Sequence, residues 1–153
     1  MVDDRKVERQ NKAIVTAAFQ AWQDGTGSPF DLLTPGATWT IAGTSPVSTT
    51  YTGRQEFIDN VIAPFNARMQ RRLVPVVRRL FAEGDTVIAL FDAEGVANDG
   101  EPYRNTYTWY MRIMNGQVVD VIAFFDTIEF TQLWTRVKPQ LPNKEGTHGH
   151  GNV

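Results

Sequence analysis

The residues of this chain best suited to chemistry are three carboxylates, Asp92, Glu94 and Asp126, with Asn105 and Tyr107 falling near them. Carboxylates gathered in an apolar setting resist ionising together, so at least one pKa rises towards neutrality. A carboxyl poised there takes or gives a proton efficiently, which an ordinary surface aspartate does not. Other chemistries lack their residues. The chain has no cysteine, which excludes disulfides, thiolate metal sites and cysteine nucleophiles. Both histidines lie in His148-Gly149-His150, where two ligands without a fixed third make a weak site, so no metal is expected. Gly25-Thr26-Gly27 has no strand before it of the kind a dinucleotide-binding loop requires, and no cofactor is expected.

The elements that must position these residues are legible in the periodicity. Asp4 to Asp24 predicts an amphipathic helix with Ile14, Val15, Phe19 and Trp22 on or beside one stripe. Ser28-Pro29 reads as a helix cap with proline in the first turn. A short strand carries Trp39 and Ile41, and Thr52-Gly53-Arg54-Gln55 matches a capping box opening a helix that Pro64 kinks or ends. Four strands follow, near 73–82, 86–97, 103–114 and 117–125, joined by turn sequences such as Asn115-Gly116, and a last helix spans 128–137. Pro75 places the first of these strands at an edge or bulge. Segregated helices against an antiparallel sheet define an α+β domain over residues 1–138, with a flexible tail over 139–153.

Register converts that list into a site. If Asn115-Gly116 forms a two-residue loop, Asn105 lies opposite Asp126, Tyr107 opposite Phe124 and Trp109 opposite Ile122. The preceding hairpin then sets Glu94 opposite Asn105, Asp92 opposite Tyr107 and Leu90 opposite Trp109. Side chains alternate along a strand, so these residues share one face: three acids at one end of an aromatic and aliphatic surface. Burying unpaired carboxylates costs several kcal/mol each, so the expected resolution is a cavity lined by apolar groups and floored by acids. Tyr110, Arg112, Val121, Ala123 and Phe125 are expected on the opposite, outer face. Asp126 has a second reading, since Asp126-Thr127-Ile128-Glu129 can cap the last helix. The run Arg68, Arg71, Arg72, Arg78 and Arg79 reads as a solvated face.

Trp39-Thr40-Ile41-Ala42-Gly43, Tyr51-Thr52-Gly53-Arg54, Gly100-Glu101-Pro102-Tyr103-Arg104-Asn105-Thr106-Tyr107 and Asn115-Gly116-Gln117 through Phe125-Asp126-Thr127 together resemble the SnoaL-like branch of the nuclear transport factor 2/ketosteroid isomerase superfamily. The resemblance implies a cone-shaped α+β barrel, a curved sheet wrapped by helices around a deep apolar pocket, in a chain that pairs into a homodimer through the outer sheet face. It implies Asp126 and Asp92 as acid/base positions. Tyr107 is expected to donate its hydroxyl to a substrate oxygen, and Glu94, Asn105, Trp109, Phe124, Ile122, Leu90, Trp39, Ile41, Phe19, Trp22 and Tyr51 are the expected substrate-binding set. The arginine that limonene epoxide hydrolases place two residues before their aspartate is Leu90 here.

Three functions follow in order. The first is an isomerase, cyclase or dehydratase acting by proton transfer on a hydrophobic, cyclic, carbonyl-containing substrate. The second is a non-catalytic protein that binds a hydrophobic ligand or pairs as an interaction module, and the third is an epoxide hydrolase. The small hydrophobic molecule is the expected partner. The sequence has 153 residues, 42% hydrophobic and 21% charged, with a formal charge of −2, which gives no bulk electrostatic case for nucleic acid or membrane. The opening MVDDRKVERQ lacks the apolar core of a secretory signal, so a cytoplasmic location is the default expectation.

Overall fold

The computed structural model describes residues 4–140. The tail histidines therefore lie outside the described residues. Helix α1 spans Asp4–Asp24 and buries Asn11, Val15, Phe19 and Trp22, a spacing of three and four that keeps them on one face. Ser28 then caps a 3-10 turn, Pro29–Leu32. Its hydroxyl accepts from the Phe30 N–H, and Asp31 accepts from the Ser28 N–H in return. Strand β1, Leu33–Ile41, carries Trp39 and Ile41 as expected, and a further short strand β2, Thr50–Thr52, pairs with it.

The next helix starts differently from the expected capping box. Gly53, at φ 105°, is the cap residue, a conformation natural to glycine, and the Thr52 amide donates to the Glu56 carboxylate at 2.7 Å. Helix α2, Arg54–Phe57, runs through a π-helical turn, Ile58–Ile62, into α3, Ala63–Asn66, with Pro64 in the first turn of α3. The π turn places Val61, Ile62 and Phe65 towards the interior without a break in the chain.

Strands β3 (Met69–Glu83), β4 (Thr86–Ala97), β5 (Pro102–Met114) and β6 (Gln117–Phe125) form the expected meander, and α4, Thr127–Arg136, closes the chain. The sheet order is β2-β1-β6-β5-β4-β3, antiparallel throughout except for the parallel β1–β6 pair. β2 and β3 are its two edges, so the α+β cone remains open rather than closing as a barrel. Pro75 sits on the edge strand β3, where a missing donor disturbs nothing. Helix α1 covers the inner face at β4 and β5, where Phe19 meets Phe91 edge-on at 4.8 Å and Trp22 stacks on Trp109 at 5.8 Å.

Arg68 anchors the closing helix from the interior. It is 6% exposed, its Nε donates to the carbonyls of Val137 (2.7 Å) and Trp134 (3.3 Å), its Nη1 to that of Pro64, and its guanidinium lies 3.8 Å from the Trp134 ring centre. Burial lowers its pKa. Arg68 is the one correction to the expected solvated arginine face, which Arg71, Arg78 and Arg79 keep. Arg72 is exposed as well, yet bonded to the backbone. Its terminal nitrogens donate to the Trp22 and Gln23 carbonyls at the end of α1, groups that a helix C-terminus leaves unpaired. Arg78 is exposed and paired with Asp92.

Gly95 fixes how β3 bends over β4. A Cβ there would lie 2.8 Å from the Arg71 carbonyl oxygen and 2.9 Å from that of Arg72, where β3 carries two register shifts between Met69 and Val74. Backbone cannot swing aside as a side-chain tip can. Gly95→Ala is therefore expected to lower unfolding stability by about 1–3 kcal/mol, the usual cost of overpacking. Denaturant unfolding checks it; a loss under about 0.5 kcal/mol, within the range of ordinary surface changes, contradicts the close-approach argument.

Candidate functional site

The interior encloses a cavity of about 510 Å³. Its wall is aromatic: Trp22, Phe30, Trp39, Phe57, Phe65, Trp109, Phe125 and Phe130, joined by Ile41, Val61, Leu73 and Ala123. The rings are mutually packed, with Trp39 stacked on Phe57 at 4.2 Å and edge-on to Trp109 at 4.9 Å. Tyr107 is the one buried residue on this wall that carries a hydroxyl. Thr26, Asp31, Asn66 and Arg72, all exposed, and the half-buried Arg54 mark the mouth, between the end of α1 and the segment α2–α3.

Tyr107 belongs to a chain of polar groups held rigidly from behind. The Asn105 side chain imitates a strand partner for Asp126: its Oδ1 accepts from the Asp126 N–H and its Nδ2 donates to the Asp126 carbonyl, each at 3.0 Å. The same Nδ2 donates to the Tyr103 hydroxyl at 2.8 Å, and the Tyr103 and Tyr107 hydroxyls are bonded to each other at 2.8 Å. Burial pushes the Tyr103 phenol up to about 12, partly offset by hydrogen bonds from Tyr107 and Asn105. Burial first, and Tyr103 beside it, raise the Tyr107 phenol as well. Both phenols thus stay protonated and available as hydrogen-bond donors.

The three acids are brought together, but on the other side of the sheet. Observed pairs are Phe91↔Tyr107, Asp92↔Thr106, Glu94↔Arg104 and Ala89↔Trp109, one residue away from the expected register. The β4–β5 connection pairs Val96 with Pro102, which changes the parity. Between β5 and β6 the turn register is as expected at Met114↔Gln117, but Val119 bulges, so Tyr107 meets Phe125 and Trp109 meets Ala123. A one-residue slip exchanges faces. Asp92, Glu94, Leu90, Ile122 and Phe124 therefore point outward, while Val121, Ala123 and Phe125, expected outside, point inward.

Asp92, Glu94, Asp126 and Glu129 line an open outer groove together with Arg78 and Arg104. Asp92 accepts from Arg78 at 2.7 Å and from Thr106 at 2.7 Å, and Glu94 pairs with Arg104 at 2.8 Å. The Thr106 and Arg78 hydrogen bonds hold the Asp92 carboxyl below the usual aspartate range, the reverse of the expected rise. The Asp126 carboxylate accepts from the N–H groups of Ile128 and Glu129, the capping alternative, and does not line the cavity. Of the remaining expected residues, Trp22, Trp39, Ile41, Tyr107 and Trp109 line the cavity. Phe19 packs behind it against Phe91 and Trp109, and Tyr51 is buried with its hydroxyl donating to the Val47 carbonyl. Asn105 acts through Tyr103. Sequence reasoning missed the wall residues Phe30, Phe57, Phe65, Phe125 and Phe130. For the sheet a usable signal existed: Val87, Ala89, Phe91 and Ala93 form the wholly apolar parity of β4. Among the described residues, no group of three or more His, Cys, Asp or Glu side chains could hold a metal, and no helix is long and apolar enough to cross a membrane.

Comparison with known proteins gives a consistent fold. The SnoaL-like domain family matches residues 15–121. An NTF2-like protein of unknown function from Burkholderia pseudomallei superposes with a TM-score of 0.67 at 19% identity, over 82% of this chain and 97% of that one. An NTF2-like protein from Burkholderia thailandensis gives 0.63 at 23% identity, over 78% and 93%. A protein described as a SnoaL-like polyketide cyclase from a Jannaschia species gives 0.67 at 19% identity, over 88% and 98%. None of the curated proteins matches in sequence.

The Tyr103 phenol has a consequence for stability at alkaline pH. Its folded pKa, about 12, lies above the ordinary 10.0, so its contribution is whole below pH 10.0 and is lost as pH rises towards about 12. Tyr103→Phe is expected to flatten the fall of unfolding stability across that window. Denaturant titrations at a series of pH values measure it, and an unchanged slope contradicts the assignment.

Proposed function

Because the chain belongs to the SnoaL-like family, we propose that it binds a flat, hydrophobic, carbonyl-bearing small molecule in the interior cavity and polarises that carbonyl through the Tyr107 hydroxyl. The observation that carries this reading is the one buried hydroxyl on an aromatic wall, backed by the chain Asn105, Tyr103, Tyr107. A ligand acceptor selects one sense for that chain: Asn105 donates to Tyr103, Tyr103 to Tyr107, and Tyr107 to the ligand oxygen. Each donor in the relay polarises the next. A preorganised donor in a dry site stabilises charge developing on an oxygen far better than water does.

Non-catalytic binding is the form that the geometry supports best. Proton abstraction beside the carbonyl needs a base, and the carboxylates that sequence reasoning assigned to it, Asp92 and Asp126, do not line the cavity. Asp31 is the one carboxylate lining it. It sits at the mouth with Oδ2 already accepting from the Ser28 N–H. Epoxide opening has still less support, since the Leu90 and Asp92 side chains face the outer groove side of the sheet.

A fluorescent ketone, 6-propionyl-2-dimethylaminonaphthalene, tests the binding reading because its emission moves to shorter wavelength when its carbonyl loses hydrogen bonds. Binding to the wild-type chain is expected with blue-shifted emission. Tyr107→Phe should weaken binding about 5–10-fold and shift the bound emission further to the blue. Wild-type protein that leaves the emission as it is in water removes the cavity reading, and identical spectra for the two proteins remove the role of Tyr107.

The outer face of the sheet supports a second copy of the chain as partner. Val76, Phe81, Tyr110, Met114, Ile122 and Phe124 are exposed along it, Phe124 at 50%, and the ion pairs Arg78–Asp92, Arg104–Glu94 and Arg112–Asp85 lie among them. A face carrying both charge signs around apolar groups is self-complementary under a two-fold axis. Sedimentation is expected to give a dimer at micromolar concentration and a monomer for Phe124→Glu. A wild-type monomer under those conditions contradicts the pairing.

A further inference from the structure

The mouth of the cavity carries two guanidinium groups and one carboxylate, Arg54 and Arg72 against Asp31, on a chain whose formal charge is −2. Among the described residues, neither arginine is ion-paired. Their positions differ in one respect. Arg72 donates from both terminal nitrogens to the carbonyls at the end of α1 and is committed to that helix. Arg54 donates only from Nε, to the Phe30 carbonyl at 3.2 Å. That bond aligns its guanidinium and leaves the planar end, with two nitrogens, without a partner among the described residues.

Inside the mouth the hydrogen-bonding character is equally one-sided. The indole N–H groups of Trp22, Trp39 and Trp109 donate to no protein acceptor among the described residues, although these residues are only 8%, 5% and 4% exposed. No buried side-chain nitrogen or oxygen lacks a partner, so these indole nitrogens are not sealed off and open onto accessible space. The cavity is the space those three residues line. The site therefore offers donors, from three indoles, a phenol and a guanidinium, with Asp31 as its one carboxylate acceptor. A ligand that satisfies it is rich in acceptors and carries negative charge at the end nearest the mouth.

We propose that the cavity takes a flat aromatic anion, its ring system against the wall of Trp22, Trp39, Trp109 and Phe30 and its carboxylate paired with the planar end of Arg54. The fork of two nitrogens matches a carboxylate's two oxygens, which a lysine's point charge does not. The aromatic wall provides ring stacking and excludes water, which strengthens the ion pair at its inner edge. Acceptors on the ring, carbonyl or ether oxygens, meet the indole N–H groups. The proposal rests on the cavity reading above and narrows it from hydrophobic carbonyl compounds to those bearing an acid group.

Calorimetric titration with 2-naphthoate and with methyl 2-naphthoate separates the two. Both share the ring and a carbonyl, and only the first carries charge. For Arg54→Met the naphthoate affinity is expected to fall about tenfold or more while the ester changes by less than about twofold. Arg54→Lys, which keeps the charge and loses the fork, is expected to lose several-fold for naphthoate alone, and it carries the test if Arg54→Met does not fold. A ratio of acid to ester affinity that is the same in the wild type and in the folded variants overturns the proposal and leaves the cavity reading standing. Failure of both compounds to bind the wild type removes that reading, and the proposal with it.

Discussion

The side chains that β4, β5 and β6 turn inward owe that direction to two irregularities in the meander. The β4–β5 connection pairs Val96 with Pro102, and Val119 bulges from β6 opposite the step from Arg112 to Ile113. A strand presents alternate residues to alternate faces, so each irregularity decides a whole set at once. With this parity Phe91, Tyr107, Trp109, Ala123 and Phe125 face inward, and Leu90, Asp92, Thr106, Ile122 and Phe124 face outward. The alternative parity would bury Asp92 and Glu94 beneath α1 and expose Phe91. Its electrostatic cost is several kcal/mol for each unpaired carboxylate, far more than the sheet hydrogen bonds of one register could recover over the other.

That choice separates two kinds of chemistry across one sheet. The outer surface is ionic: Asp92, Glu94 and Asp85 each have an arginine, and Asp126 is occupied by helix N–H groups. The Thr106 and Arg78 hydrogen bonds hold the Asp92 carboxyl below the usual aspartate range, which makes it a poor proton acceptor. The inner surface is neutral and donor-rich. Its hydroxyl pair is kept protonated by burial. Asn105 donates to the Tyr103 hydroxyl, and two further hydrogen bonds tie its side chain to the Asp126 backbone, where β6 ends and α4 begins. A wall of this kind presents hydrogen-bond donors to the space it encloses.

The elements were legible in the sequence to a useful degree. Helix α1 is bounded by its stripe and by Gly25, and the meander by its turn residues. The helix cap at Ser28-Pro29 also stands where the residues place it. The site was much less legible, because it depends on parity, and parity turns on a single inserted residue. Asn115-Gly116 correctly sets Met114 opposite Gln117, yet nothing in Gln117-Val118-Val119-Asp120 announces that Val119 bulges. The better guide was composition by parity. In β4 the set Val87, Ala89, Phe91, Ala93 is wholly apolar, whereas Ile88, Leu90, Asp92, Glu94 is not. Treating the acids as the functional centre reversed that inference. Arg54 and Arg72 are long-range features, since their neighbours Phe30, Trp22 and Gln23 lie 24 to 50 residues away.

Arg68 gives the molecule an unusual kind of latch. Each oxygen it holds belongs to the main chain, and its remaining neighbour is the face of an indole. A proton has nothing there to silence, in contrast to a cation fastened to aspartate or glutamate, which lets go once its counter-ion is neutralised. Acid reaches the sheet's ionic exterior and finds no purchase on the seam between α3 and α4, so the closing helix, with Phe130 on the cavity wall, is secured by a cation indifferent to the acidity of its surroundings.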